Sequence, residues 1–97
     1  MDFKAIFGHD VYVDNNRVGY VSASRGDSAA IFFGGSKLGV LTSEGVIELK
    51  GIPFGHIEEN MVVFIHNKKT GKIDDKFDIR FDLKALTKAM ESETEQH

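Results

Sequence analysis

The 97-residue chain has no cysteine, no tryptophan and a single proline. Without cysteine there is no disulfide framework, no thiolate metal site and no cysteine nucleophile. With no Trp but eight Phe, the core must rest on phenylalanine and aliphatic side chains. No apolar run approaches the roughly 18 residues that a membrane helix needs. The N-terminal MDFKAIFGHD also lacks the basic start and apolar stretch of a secretory signal. The expectation is therefore a cytoplasmic protein with no membrane partner. A dominant charge of one sign is missing too: 12 Lys and Arg against 15 Asp and Glu leave a formal charge of -3. That balance argues against a dedicated nucleic-acid binder, whose footprint is a basic surface.

What is present fits one folded domain, with 41% apolar and 28% charged residues. The clearest pattern is an echo at a spacing of twenty. DVYVDNNRVGYV (10–21) lies over AIFFGGSKLGVL (30–41), with Gly19 matching Gly39. Each copy reads as a hairpin of two short strands, with two-residue turns expected at Asn15-Asn16 and Gly35-Ser36. That register would place Tyr12 over Gly19 and Phe32 over Gly39, an aromatic ring covering a cross-strand glycine.

Downstream, LTSEGVIEL reads as a turn at Ser43-Glu44-Gly45 followed by a strand from Val46 to Leu49. KGIPFGHIEEN, with two glycines and the one proline, reads as a loop. MVVFIH reads as a central strand, and NKKTGK as a hairpin loop with Gly71 in the left-handed position. IDDKFDIRFDL alternates like a single strand, with Asp75, Phe77, Ile79, Phe81 and Leu83 on one face and Asp74, Lys76, Asp78, Arg80 and Asp82 on the other. In DLKALTKAM, Asp82 stands as an N-cap, and Leu83, Leu86, Ala89 and Met90 follow at helical spacing. The N-terminal FKAIF fits a helix or a strand.

These readings give six or seven strands in a mainly β (α+β) fold. It is a curved antiparallel sheet, a meander of hairpins that is sandwich-like or barrel-like, with one C-terminal α-helix. The expected domain spans 1–92, with the helix at about 83–92 and a flexible polar tail over 93–97. An open sheet of this kind leaves edges, and edges attract partners.

Chemistry-bearing constellations are sparse. Asp74, Asp78 and Asp82 would align on a helix, but on a strand Lys76 and Arg80 fall between them, which suits ion pairing better than a metal site. His9, His56, His66 and His97 show no metal-ligand spacing, and no serine stands in a GxSxG elbow. FFGGSKLG lacks the order of a phosphate loop and no helix follows it. RGD at Arg25–Asp27 matters only on a secreted protein. The sequence thus gives no catalytic residues, no metal and no cofactor.

Two surfaces remain. Ile52, Phe54 and His56, in the segment with the least periodicity, are candidates for protein interaction. Lys68, Lys69 and Lys72, read as a lysine-tipped hairpin, are candidates for nucleic-acid contact. The favoured function is a small non-enzymatic protein that binds another protein, an accessory factor or a phage-type inhibitor, with homodimerisation through sheet edges. Nucleic-acid binding, ranked lower, and a small-ligand site inside a β-barrel are the alternatives.

Overall fold

The structure, a computed structural model, describes residues 2–95. A short 3₁₀ helix (Phe3–Ile6) leads into β1 (Asp10–Val13), β2 (Asn16–Val21), β3 (Ser28–Phe33), β4 (Ser36–Thr42) and β5 (Val46–Leu49). Then follow β6 (Ile52–Ile57), β7 (Val62–Ile65), β8 (Lys68–Ile73), β9 (Ile79–Phe81) and the helix α1 (Leu83–Glu95). Each strand pairs with the next, and β9 returns to β1, so the sheet is a closed barrel of nine strands. Nine is odd, so the first and last strands run the same way and the closing pair is parallel, with Val11 beside Ile79 and Val13 beside Phe81.

The barrel is mostly one unit repeated. Four hairpins turn at Asp14-Asn15, Gly34-Gly35, Lys50-Gly51 and His66-Asn67, and both residues of every turn have positive φ. This is the requirement of a type I′ turn, whose twist matches that of the strands it joins. Two residue pairs beyond each turn the register shifts, leaving one extra residue unpaired on the second strand. These bulge residues are Val18, Leu38, Phe54 and Thr70, and all four turn towards the core. A glycine follows each one, opposite Val11, Ile31, Ile47 and Val63 respectively.

Those four glycines are required by close approach. A β-carbon on Gly19 would land on the carbonyl oxygen of Phe32, and one on Gly71 on that of Arg80. At Gly55 it would lie 2.6 Å from the Phe64 oxygen, and at Gly39 2.8 Å from that of Glu48. In each case the blocking atom belongs to the backbone of the next strand, which cannot move aside. A bulge bends the strand and increases its twist, and a glycine beside it lets the neighbouring strand come in close.

The twenty-residue echo is therefore real, but its expected register is not. The turns fall one residue earlier, at Asp14-Asn15 and Gly34-Gly35. Tyr12 faces Arg17 and Phe32 faces Lys37, while the glycines face Val11 and Ile31. An unbroken ladder was assumed, and the bulge breaks it. KGIPFGHI is not a loop: it holds the third turn and β6, and Pro53 is tolerated beside the bulge, where the ladder is already interrupted. Gly71 lies within β8, and the left-handed residues of that hairpin are His66 and Asn67. IDDKFDIRFDL is likewise not one strand, because Asp74 to Asp78 form a loop before β9.

The interior is filled by aliphatic side chains, among them Val11, Ile31, Ile47, Val63 and Ile79, each at most 1% exposed. Phe3 and Ile6 of the 3₁₀ helix close the barrel at the end opposite the I′ turns, where the Phe3 N–H donates to the Ser43 carbonyl at 3.0 Å. At the turn end α1 begins directly after β9. The Asp82 carboxylate accepts from the Ala85 N–H at 2.9 Å, the capping contact expected from sequence, and Asp14 accepts from the Leu83 N–H at 3.1 Å. The helix crosses this end rather than covering an open side of the sheet, and it runs to Glu95, beyond the expected end near 92. His97 lies outside the described residues. Every strand has two neighbours, so among the described residues no sheet edge is open, and the expected edge route to a homodimer is closed. No described helix is long and apolar enough to cross a membrane.

Replacing Gly19 with Ala should destabilise the fold by about 1–3 kcal/mol in urea melts, because the added methyl meets backbone. Gly26→Ala, where the nearest atom is a serine oxygen at 3.7 Å, should stay within about 0.5 kcal/mol of the parent.

Candidate functional site

The two ends of the barrel are finished differently. At the turn end α1 packs chiefly on β8, with Ala89 fully buried. The bulge residue of that hairpin is Thr70, where the others carry Val, Leu and Phe. The Thr70 hydroxyl donates to the Val63 carbonyl at 3.2 Å.

Because the helix sits to one side, the mouth is only partly covered. A cavity of about 530 Å³ remains between Phe33, Leu38, Phe54 and Ile65 on the barrel and Leu83, Leu86 and Met90 on the helix. A second hollow of about 290 Å³ shares Leu38, Phe54 and Met90 and adds Leu49, Ile52 and His66. Together they form an apolar groove with exposed walls: Ile52 is 70% exposed, Leu83 52%, Leu49 44% and Met90 39%. Exposed Lys37, Lys50, Lys68 and Lys84 stand at this end, on β4, the third turn, β8 and α1. Glu91 is the acidic residue in the groove lining.

At the opposite end, three loops share one design with a period of sixteen residues. The Gly45 N–H donates to the Thr42 carbonyl at 3.0 Å, that of Met61 to Glu58 at 2.8 Å and that of Phe77 to Asp74 at 3.1 Å. The closing residues have φ of 89°, 69° and 65°. Glycine is the ordinary occupant of such a position, whereas a bulky side chain there is strained. Phe77 is 37% exposed, with its ring edge-on to His9 at 6.1 Å between centroids.

Asp74 holds this loop together. One carboxylate oxygen accepts from the Lys76 N–H at 2.9 Å and the Asp78 N–H at 3.0 Å, and the other accepts from Arg80 Nε at 2.6 Å. Burial acts to raise the pKa of this carboxyl, but the Arg80 hydrogen bond, the two backbone donors and the Arg80 charge outweigh it and hold it below its usual 3.8. The Arg80 guanidinium also lies over the Tyr12 ring, 4.4 Å from its centroid.

Of the residues singled out from sequence, Ile52 and Phe54 meet at the groove, Phe54 as its floor and Ile52 on its rim. His56 is elsewhere, on the outer wall, stacked on Phe64 with centroids 5.0 Å apart and within 3.6 Å of Glu58. Lys68, Lys69 and Lys72 do not form a tip. They lie along β8, because the turn takes His66 and Asn67, and Lys69 and Lys72 border a surface cavity of about 620 Å³ that also has Asp14, Asp82 and Arg80 in its walls. No group of three His, Cys, Asp or Glu that could hold a metal ion occurs among the described residues. Sequence reasoning missed Leu38, Leu49 and Met90 as groove residues. Extending the echo to its third and fourth copies would have aligned Phe54 with Leu38 and exposed their shared role. No family model, curated protein or solved structure matches the chain.

Phe54→Ala should cost about 3 kcal/mol in denaturant melts, whereas Ile52→Ala should change stability by no more than about 0.5 kcal/mol. Since folding depresses the Asp74 pKa, its stabilising contribution is full above the unfolded value near 3.8 and disappears as pH falls through the lower folded value. Asp74→Asn should therefore be less stable at neutral pH and lose less stability than the parent between about pH 4 and pH 2, as followed by thermal melts across that range.

Proposed function

We propose that the protein is a non-enzymatic cytoplasmic binding module, which docks an apolar segment of a partner protein in the groove at the barrel mouth. The observation that supports this reading is the exposure of Ile52, Leu83, Leu49 and Met90 around one depression. Single exposed apolar residues are ordinary, but four of them converging on a concave apolar floor are characteristic of interaction sites. Burying Ile52 and Met90 under a partner would remove apolar surface from water at about 25 cal/mol per Å².

The chemistry of the partner follows from the surroundings. Lysines on β4, β8, α1 and the third turn favour a segment in which large apolar residues are flanked by aspartate or glutamate. The groove walls are mainly apolar, with Thr87, Glu91 and His66 as polar residues among them, and such a lining suits binding rather than turnover. A cysteine-free chain is compatible with a reducing compartment.

Panning a displayed library of random peptides against the protein tests the reading. Enriched sequences should place Phe, Leu, Ile or Met among acidic residues, and Ile52→Asp should weaken their binding at least tenfold with an unchanged melting temperature. Failure to enrich any sequence, or peptides that bind Ile52→Asp equally well, would overturn it.

A further inference from the structure

Resting on the groove as a docking site, the geometry points to a second copy of this chain as its occupant. We propose that the protein associates head to tail, with the Phe77 loop of one copy seated in the groove of the next.

Phe77 carries two costs at once. It is an aromatic residue in the left-handed region where its counterpart sixteen residues before Met61 is Gly45, and its ring is more than one-third exposed. A glycine would close the same turn without backbone strain, and the ring's packing in the isolated barrel is the edge-on contact with His9. Strain retained at an exposed apolar side chain is a mark of function. The loop is also built to hold that ring in place, through the three hydrogen bonds that Asp74 accepts.

The two ends of the barrel also differ in charge. Asp74, Asp75 and Asp78 lie in the Phe77 loop or beside it, and Glu58, Glu59 and Glu44 lie in the neighbouring loops at the same end; these outnumber Lys4, Arg25 and Lys76 there, and Asp74 is paired with Arg80. The groove is at the opposite end, where Lys37, Lys50, Lys68 and Lys84 stand with Asp14, Asp82 and Glu91 among them. An apolar knob in an acidic collar thus occupies one end of the barrel, and an apolar hollow near basic residues occupies the other. This is the segment chemistry the groove selects. Because the two surfaces are different and lie at opposite ends, one pair leaves a knob and a groove unused, so association is heterologous and continues beyond the dimer, into a ring or a filament.

Sedimentation velocity with the full chain tests the proposal. The parent should exceed its 10.8 kDa monomer mass by an amount that grows with concentration, and should revert to monomer near 1 M salt, where the Debye length is about 3 Å. Phe77→Gly should be monomeric with a melting temperature no lower than the parent, and Ile52→Asp should also be monomeric. Mixed in equal amounts, these two variants should form a one-to-one dimer and stop there, because one intact knob and one intact groove remain. A parent that stays monomeric, or two variants that do not pair when mixed, would overturn the proposal. If a peptide selected by panning then binds the monomeric parent and depends on Ile52, the groove reading stands with a foreign partner; if none binds, both fall.

Discussion

A sheet of hairpins becomes a barrel here because every hairpin bends at the same point. One extra residue turns inward, the following residue has no side chain, and the backbone of the next strand moves into the space. At Gly19, Gly39, Gly55 and Gly71 the nearest obstacle to a side chain is a carbonyl oxygen of the next strand, so the curvature is set first by main-chain contact. Closure follows from repeating the bend four times. Closure leaves no open edge among the described residues, and such a barrel must interact through its ends or its outer wall.

The repeat makes the walls alike, and departures from it make the ends different. Thr70 is the polar bulge residue, on the strand that α1 packs against, and the helix, set to one side, leaves Leu38 and Phe54 partly uncovered. Met61 and Phe77 replace the glycine of an otherwise identical loop. Where a repeated unit is kept, the residue answers to backbone geometry. Where it is broken, the change marks either the strand that the helix packs against, as at Thr70, or a surface with a task, as at Phe77.

Much of this was legible in the sequence. The echo between residues 10–21 and 30–41, the β class, the barrel-like curvature and the capped C-terminal helix all follow from local patterns. The phase of the hairpins was not, because a bulge has no signature beyond the glycine beside it, and pairing Tyr12 with Gly19 was the natural result of counting an unbroken ladder. The IPFG segment was hidden by its proline, which normally argues against a strand. Ile52 and Phe54 were found for their lack of periodicity, which in fact reflected the bulge between two faces of β6. The groove itself could not be read, since Leu38, Leu49 and Met90 come from separate elements brought together by closure.

The parallel contact of β1 with β9 carries a consequence for the order of assembly. Every other pairing in the sheet joins sequence neighbours across a short turn or loop, so those ladders can form locally and quickly. The closing ladder joins strands at opposite extremes of the barrel sequence and has the largest loop-closure entropy to overcome. Until β9 arrives, β1 and the outer side of β8 are bare edges of an incomplete ring, and the aggregation hazard that the finished barrel avoids exists only in that interval. The sheet is a chain of local steps ending in one slow, non-local one.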